Sequence, residues 1–212
     1  MAIALADRLI SKGMDQEDVS KVISEMSSYY NRLHAIGNKV TSCNSCSLRR
    51  ACNTAPITGM GPLHPEVMVV SDYPLLDHST GMVDTSVFMM MMLSRINLKV
   101  DDVYWTHAVK CKADQVKMKH VNECHIHLHA EITALRPAAI LALGSTAISS
   151  LAGERLSINE SIGNDFSFDA GGKDIPVIAL YHPRTLMDLP SKEFKTRMNT
   201  MWSEIKQIVD YL

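Results

Sequence analysis

Apolar residues recur at helical spacing over residues 3–12 and again over 15–36, where DQEDVSKVISEMSSYYNRLHAI places them three and four positions apart. Asp15 stands where an N-cap belongs and Gly37 where a helix stops, so the spacing predicts a helical N-terminal region. The pattern then dissolves. Residues 38–65 are polar and contain Cys, Pro and Gly, and a loop of that length needs something to order it. Regularity returns with VMVV at 67–70, a β-branched apolar run between Pro65 and Ser71-Asp72 that reads as a buried strand.

Beyond it the pattern alternates: helix over 85–96, strand over 103–109, helix over 121–135, strand over 138–144, helix over 145–151, strand over 175–180 and a final helix over 192–211. Strands apolar on both faces, alternating with helices, predict an α/β fold whose central, mostly parallel sheet is flanked by helices. A length of 212 residues fits one domain over 1–212, with 1–37 as a helical extension packed on it. Ligands of such sheets gather at the carboxyl ends of the strands. Three ends carry chemistry: Ser71-Asp72-Tyr73-Pro74, His107-Ala108-Val109-Lys110-Cys111 and Tyr181-His182-Pro183. The run of methionines at 89–92 reads as flexible core filling on a helix.

Composition changes this picture little. Hydrophobic residues make up 46% and charged ones 21%, and no apolar run approaches the ~18 residues of a membrane span. Asp7, Arg8 and Lys12 interrupt the apolar N-terminus and no export-type cleavage site follows, so a soluble protein of the reducing cytoplasm, without membrane contact, is expected. A net charge of −2 leaves DNA contact to a local basic patch.

The five cysteines add the candidate chemistry. In a reducing compartment they point to metal or cluster binding rather than to disulfides. Cys43-Asn-Ser-Cys46 offers two thiolates on a tight turn, and Cys111 and Cys124 offer two more. Four thiolates suit zinc and an iron–sulfur cluster alike. Cys52, six positions after Cys46, could replace one of these ligands but reads better as a free thiol. In the run Cys124-His-Ile-His-Leu-His129, His125 and His129 share a helix face while His127 points elsewhere, and all three read as surface residues.

The order of these motifs resembles the family 4 uracil-DNA glycosylases, including related domains of some phage DNA polymerases, over about residues 42–186. Cys43-Asn-Ser-Cys46-Ser-Leu48 looks like the family's opening Cys-x-x-Cys-x-Leu, Val109-Lys110-Cys111 like its Val-Lys-Cys, and Cys124 like its fourth cysteine. The stretch from Arg136-Pro137 to Gly144-Ser-Thr-Ala147 is similar to its proline, apolar strand and Leu-Gly, and His182-Pro183-Arg184-Thr185-Leu186 to its closing His-Pro-x-x-Leu.

The resemblance implies a uracil-DNA-glycosylase-like fold with a 4Fe-4S cluster on Cys43, Cys46, Cys111 and Cys124 that orders a loop beside DNA. Ordering that loop would gather Lys39, Arg49, Arg50, Lys110, Lys112, Lys117, Lys119 and His120 into the basic patch, with Arg49, Arg50, Lys110, Lys112 and Arg184 as the expected DNA contacts. Asp72 and His182 take the catalytic positions and His107 that of a base-binding residue, with Tyr73 as the aromatic expected to stack on the base in place of the family's phenylalanine. The expected activity is hydrolysis of the N-glycosidic bond of uracil or another altered base. The alternative is a glycosylase-like module that binds DNA without cutting, with replication or repair proteins as further partners.

Three departures mark the chain. Ser71 and Leu75 replace the glycines of the family's Gly-Glu-x-Pro-Gly, with Asp72 in place of its glutamate. Val83-Asp84-Thr85-Ser86 replaces its Pro-Phe-Val-Gly, and His107 replaces its asparagine.

Overall fold

The computed structural model describes residues 2–74 and 82–212. Among the described residues five strands form one sheet: β1 (Val67–Ser71), β2 (Val103–His107), β3 (Ala139–Leu143), β4 (Ser167–Asp169) and β5 (Asp174–Leu180), in the order β2-β1-β3-β5-β4. Neighbours run parallel except for β4 against β5. The mostly parallel sheet expected from the alternating pattern is therefore present.

The period-2 geometry of the strands divides the core in two. Met68, Val70, Ile140 and Ala142 face one side, packed against Leu128, Ile132 and Leu135 of α5 (Met118–Leu135) and Ala147 and Ile148 of α6 (Gly144–Ala152). Val67, Val69, Ala139 and Leu141 face the other side with Met89, Met92 and Leu93 of α4 (Met82–Leu93) and Met201 and Ile205 of α9 (Ser191–Lys206). Side chains of this size contribute about 1.5–3 kcal/mol each when fully buried, which is why the strand runs carry almost no polar residue. Of the methionine run, Met89 and Met92 fill the core and Met91 is exposed.

At the N-terminus α1 (Ala2–Ser11) precedes α2 (Gln16–Thr41), which packs on α5. Asp15 caps α2 by accepting the Glu17 and Asp18 backbone N–H groups. Gly37 does not stop this helix. Leu33 on one side of it and the fully buried Val40 on the other both pack inward, so burial outweighs the ~1 kcal/mol that a mid-helix glycine costs. Three short helices complete the frame: α3 (Ser47–Ala51), α7 (Ile158–Ser161) and α8 (Pro183–Met187). Among the described residues no helix is long and apolar enough to cross a membrane.

Candidate active site at the strand carboxyl ends

The parallel register brings the three chemical strand ends together. Ser71 at the end of β1 is paired with His107 at the end of β2, and His182 follows β5 two strands away. His182 is the N-cap of α8: its Nδ1 accepts the Arg184 backbone N–H at 3.2 Å. A ring nitrogen that accepts an N–H carries no proton, so the neutral imidazole holds its proton on Nε2. That Nε2 lies 2.9 Å from Ser71 Oγ and 3.3 Å from Asp72 Oδ1. Gly144, at φ +82, opens α6 beside it; a Cβ there would stand 3.4 Å from the His182 Cβ, an ordinary contact, so it is the left-handed backbone of the turn after β3 that favours glycine.

Asp72 collects donors on one oxygen. Oδ1 accepts the Tyr73 backbone N–H at 2.7 Å and faces Arg184 Nη2 at 3.6 Å. Burial alone would raise its pKa, but the hydrogen bond from His182, the Tyr73 N–H and the Arg184 charge together hold the carboxyl below its ordinary value. Arg184 also lies over the Tyr73 ring, 5.9 Å from its centroid, and the Tyr73 hydroxyl donates to the Asp114 carbonyl at 3.4 Å. The Arg184 Nε is buried and has no partner among the described residues.

His107 is buried close to these groups, and burial, with Lys110 second, pushes its pKa down to about 4. Its folded pKa lies below the unfolded value of about 6.5, so the stabilisation is fully present above that value and is lost as pH falls through the folded pKa. Unfolding followed in urea should therefore show wild-type stability falling by roughly 3 kcal/mol between pH 7 and pH 4 through this residue, and His107→Gln should lack that share of the loss.

Lys110 is not at the surface. Its ammonium is 1% exposed, pairs with Glu131 Oε2 at 2.7 Å and donates to Thr106 Oγ1 at 2.6 Å, while Thr106 donates to the same Glu131 oxygen. Glu131 Oε1 takes the Gly59 N–H and the Lys110 carbonyl takes the Ile57 N–H, so the network ties residues 57–59 to β2 and α5. The expectation of a DNA-contacting Lys110 is corrected by this burial. His120 is likewise buried: its Nδ1 accepts the Lys117 N–H, and Nε2 donates to Ser47 Oγ, joining α5 to α3. Arg50, Lys39, Lys117 and Lys119 are exposed, Lys112 and Arg184 are half-buried, and Arg49 turns inward to donate to the Cys52 carbonyl at 2.9 Å.

His125 and His129 do meet, edge to face at 5.0 Å, and His129 reaches the Ser150 carbonyl. His127 is buried rather than on the surface, because its position three residues after Cys124 turns it inward. Leu75 lies outside the described residues, as do the side chains of Val83 and Asp84; Thr85 is buried on α4. Two residues of the site region, Glu131 and the Ser71 hydroxyl, were not singled out by their motifs. An acidic residue on the Leu128–Ile132 face of α5 was the available signal for the first.

The cysteine thiols converge. Burial pushes the Cys111 thiol up to about 12, and Cys46, Cys124 and Cys52 lie near enough to push the same way, with Arg49 opposing. Burial also raises Cys124, against the Lys110 N–H that it accepts at 3.3 Å, while Cys46 and Cys43 add to the rise. All five are free thiols, and all but Cys43 are buried. Thiols that disfavour one another's ionisation need a cation to bind as thiolates, so this donor set fits a metal or iron–sulfur centre. Among the described residues no group of three or more His, Cys, Asp or Glu side chains is placed to hold a metal ion.

Residues 58–206 match the Uracil DNA glycosylase superfamily. The chain belongs to that superfamily. Within it, the chain is similar to a Type-4 uracil-DNA glycosylase of Archaeoglobus fulgidus, 27% identical over 169 residues that span 74% of this chain and 84% of that protein. A Type-4 uracil-DNA glycosylase of Thermotoga maritima is 27% identical over 77% of this chain and 87% of its own length, and one of Pyrobaculum aerophilum 25% over 76% and 85%. The superfamily match leaves residues 1–57, which hold α1, α2 and the first three cysteines, outside its span.

Proposed function

We propose that the protein hydrolyses the glycosidic bond of uracil in DNA, with Asp72 and His182 as its catalytic residues and a 4Fe-4S cluster on Cys43, Cys46, Cys111 and Cys124. The observation that carries this reading is the meeting of Asp72, His182 and Arg184 at the carboxyl ends of parallel strands in a chain of this superfamily.

The chemistry requires a base turned out of the stack, a water at the sugar and donors for the charge that grows on the base. Asp72, ionised at neutral pH, orients the water and receives its proton as the oxygen bonds to C1′. The C1′–N1 bond breaks and its electron pair passes into the base, toward O2. The His182 Nε2–H, now shared by Ser71 and Asp72, is the donor for that oxygen, and its tautomer is already set by the Arg184 N–H. His107 offers the base edge one donor and one acceptor on opposite sides of its ring, and Tyr73 flanks the base. The half-buried Arg184, with Arg50 and Lys112, contacts phosphate.

A cluster would be held by Cys43 and Cys46 before α3, Cys111 after β2 and Cys124 on α5, and would supply cross-links between those segments without taking part in the hydrolysis. Reduced cysteines with this donor set fit a cytoplasmic compartment.

Uracil-containing single strands and duplexes, incubated with anaerobically purified protein, test the proposal. Free uracil and an abasic strand are the expected products. Tight DNA binding by cluster-replete protein without release would instead favour the binding module, a reading supported by the Ser71 hydroxyl that occupies the His182 donor.

A further inference from the structure

Arg49 has the wrong surroundings for a DNA contact. It lies one helical turn after Cys46 on α3, with one arm of its guanidinium spent on the Cys52 carbonyl. Its Nε is buried and finds no hydrogen-bond partner among the described residues. A buried N–H left unpaired costs about 1–3 kcal/mol, and more on a charged group, so a native chain keeps one where a partner is to arrive. Cys46, the N-cap of α3, stands three positions before Arg49, the spacing that brings side chains to one helix face. The Arg49 charge acts on both Cys52 and Cys111, the latter flanked by Cys46 and Cys124. Arginine does not lose its proton in proteins, so a full positive charge sits against the thiol cluster.

We propose that Arg49 is the counter-charge of the cluster, its Nε–H donating to a cluster or cysteine sulfur and so protecting the centre against oxidation. The inference rests on the cluster reading above and goes beyond it. A cluster held by four thiolates is a net anion, and a hydrogen-bonded cation beside it stabilises its more electron-rich state. Removing the cation makes the loss of an electron easier. In air the acceptor is dissolved oxygen, which takes one electron and becomes superoxide; the cluster, one electron poorer, then sheds iron.

The test follows the loss of visible absorbance and of protein-bound iron in air for wild type, Arg49→Gln, Arg49→Lys and the exposed neighbour Arg50→Gln. Arg49→Gln should bleach about tenfold faster than wild type, the effect of one charge-assisted hydrogen bond of ordinary strength. Arg49→Lys, which keeps the charge without the Nε–H, should fall between the two. Arg50→Gln, which makes the same change of net charge, should match wild type. Equal rates for wild type and Arg49→Gln, or equal acceleration by Arg50→Gln, would overturn the role. If Arg49→Gln does not fold, a wild-type rate in Arg49→Lys overturns it. A wild type that is colourless and free of sulfide after anaerobic purification defeats the cluster reading itself, and the Arg49 role with it.

Discussion

Asp72→Asn is expected to slow uracil release by about three orders of magnitude, within the range that a positioned acid or base contributes, while DNA affinity stays within about twofold. The amide is isosteric and still accepts the Tyr73 N–H through its oxygen, so the turn after β1 survives. What disappears is the negative charge that faces Arg184 and takes the His182 proton donor, and with it the base for water. The pH profile carries the same signature. Because the carboxyl is held below its ordinary value, release by wild type should persist as pH falls through the usual carboxylate range and decline only below it. A decline already centred at the ordinary value would mean that His182 and Arg184 do not act on Asp72.

The second large effect is structural. Lys110→Met should cost about 3–5 kcal/mol of stability in urea unfolding, because it leaves the Glu131 carboxylate buried at 2% exposure with its cation gone. Glu131→Gln should cost a similar amount by stranding the ammonium. The double variant Lys110→Met/Glu131→Met should recover part of the loss, since the two apolar groups need no partner while the Thr106 hydroxyl and the Gly59 N–H lose theirs. A single variant as stable as wild type would contradict the buried pair. Residues 57–59 hang on the same network, so protection of the Gly59 amide against hydrogen exchange should fall in both single variants.

Sheet and helices were largely legible because the central strands are buried on both faces and show it as uninterrupted apolar runs, VMVV in β1 and AILAL in β3. Boundaries were less so. Pairing beyond β2 continues through the Ala108 and Val109 N–H groups to the Ser71 and Asp72 carbonyls, which is why 103–109 reads as one strand although β2 ends at His107. The short β4 gave no periodic signal. It exists because Gly171 and Gly172, both at positive φ, turn the chain back onto β5.

At the site, Asp72 and His182 could be placed from strand ends alone, since a parallel sheet gathers its carboxyl ends. Lys110 could not. Whether a lysine after a strand faces solvent or a carboxylate depends on a partner 21 positions away on another element, and Val-Lys-Cys carries no trace of Glu131. Arg49 was misleading for the same reason: its cationic character is visible in the chain, and its inward turn toward the Cys52 carbonyl is not.

Single-turnover release of free uracil from a uracil-containing oligonucleotide, measured for wild type and Asp72→Asn side by side at equal cluster content, tests the central claim most directly. Stoichiometric uracil and an abasic strand from wild type, with release all but abolished in Asp72→Asn, is the predicted result. No uracil from cluster-replete wild type, or equal release by both proteins, would contradict it.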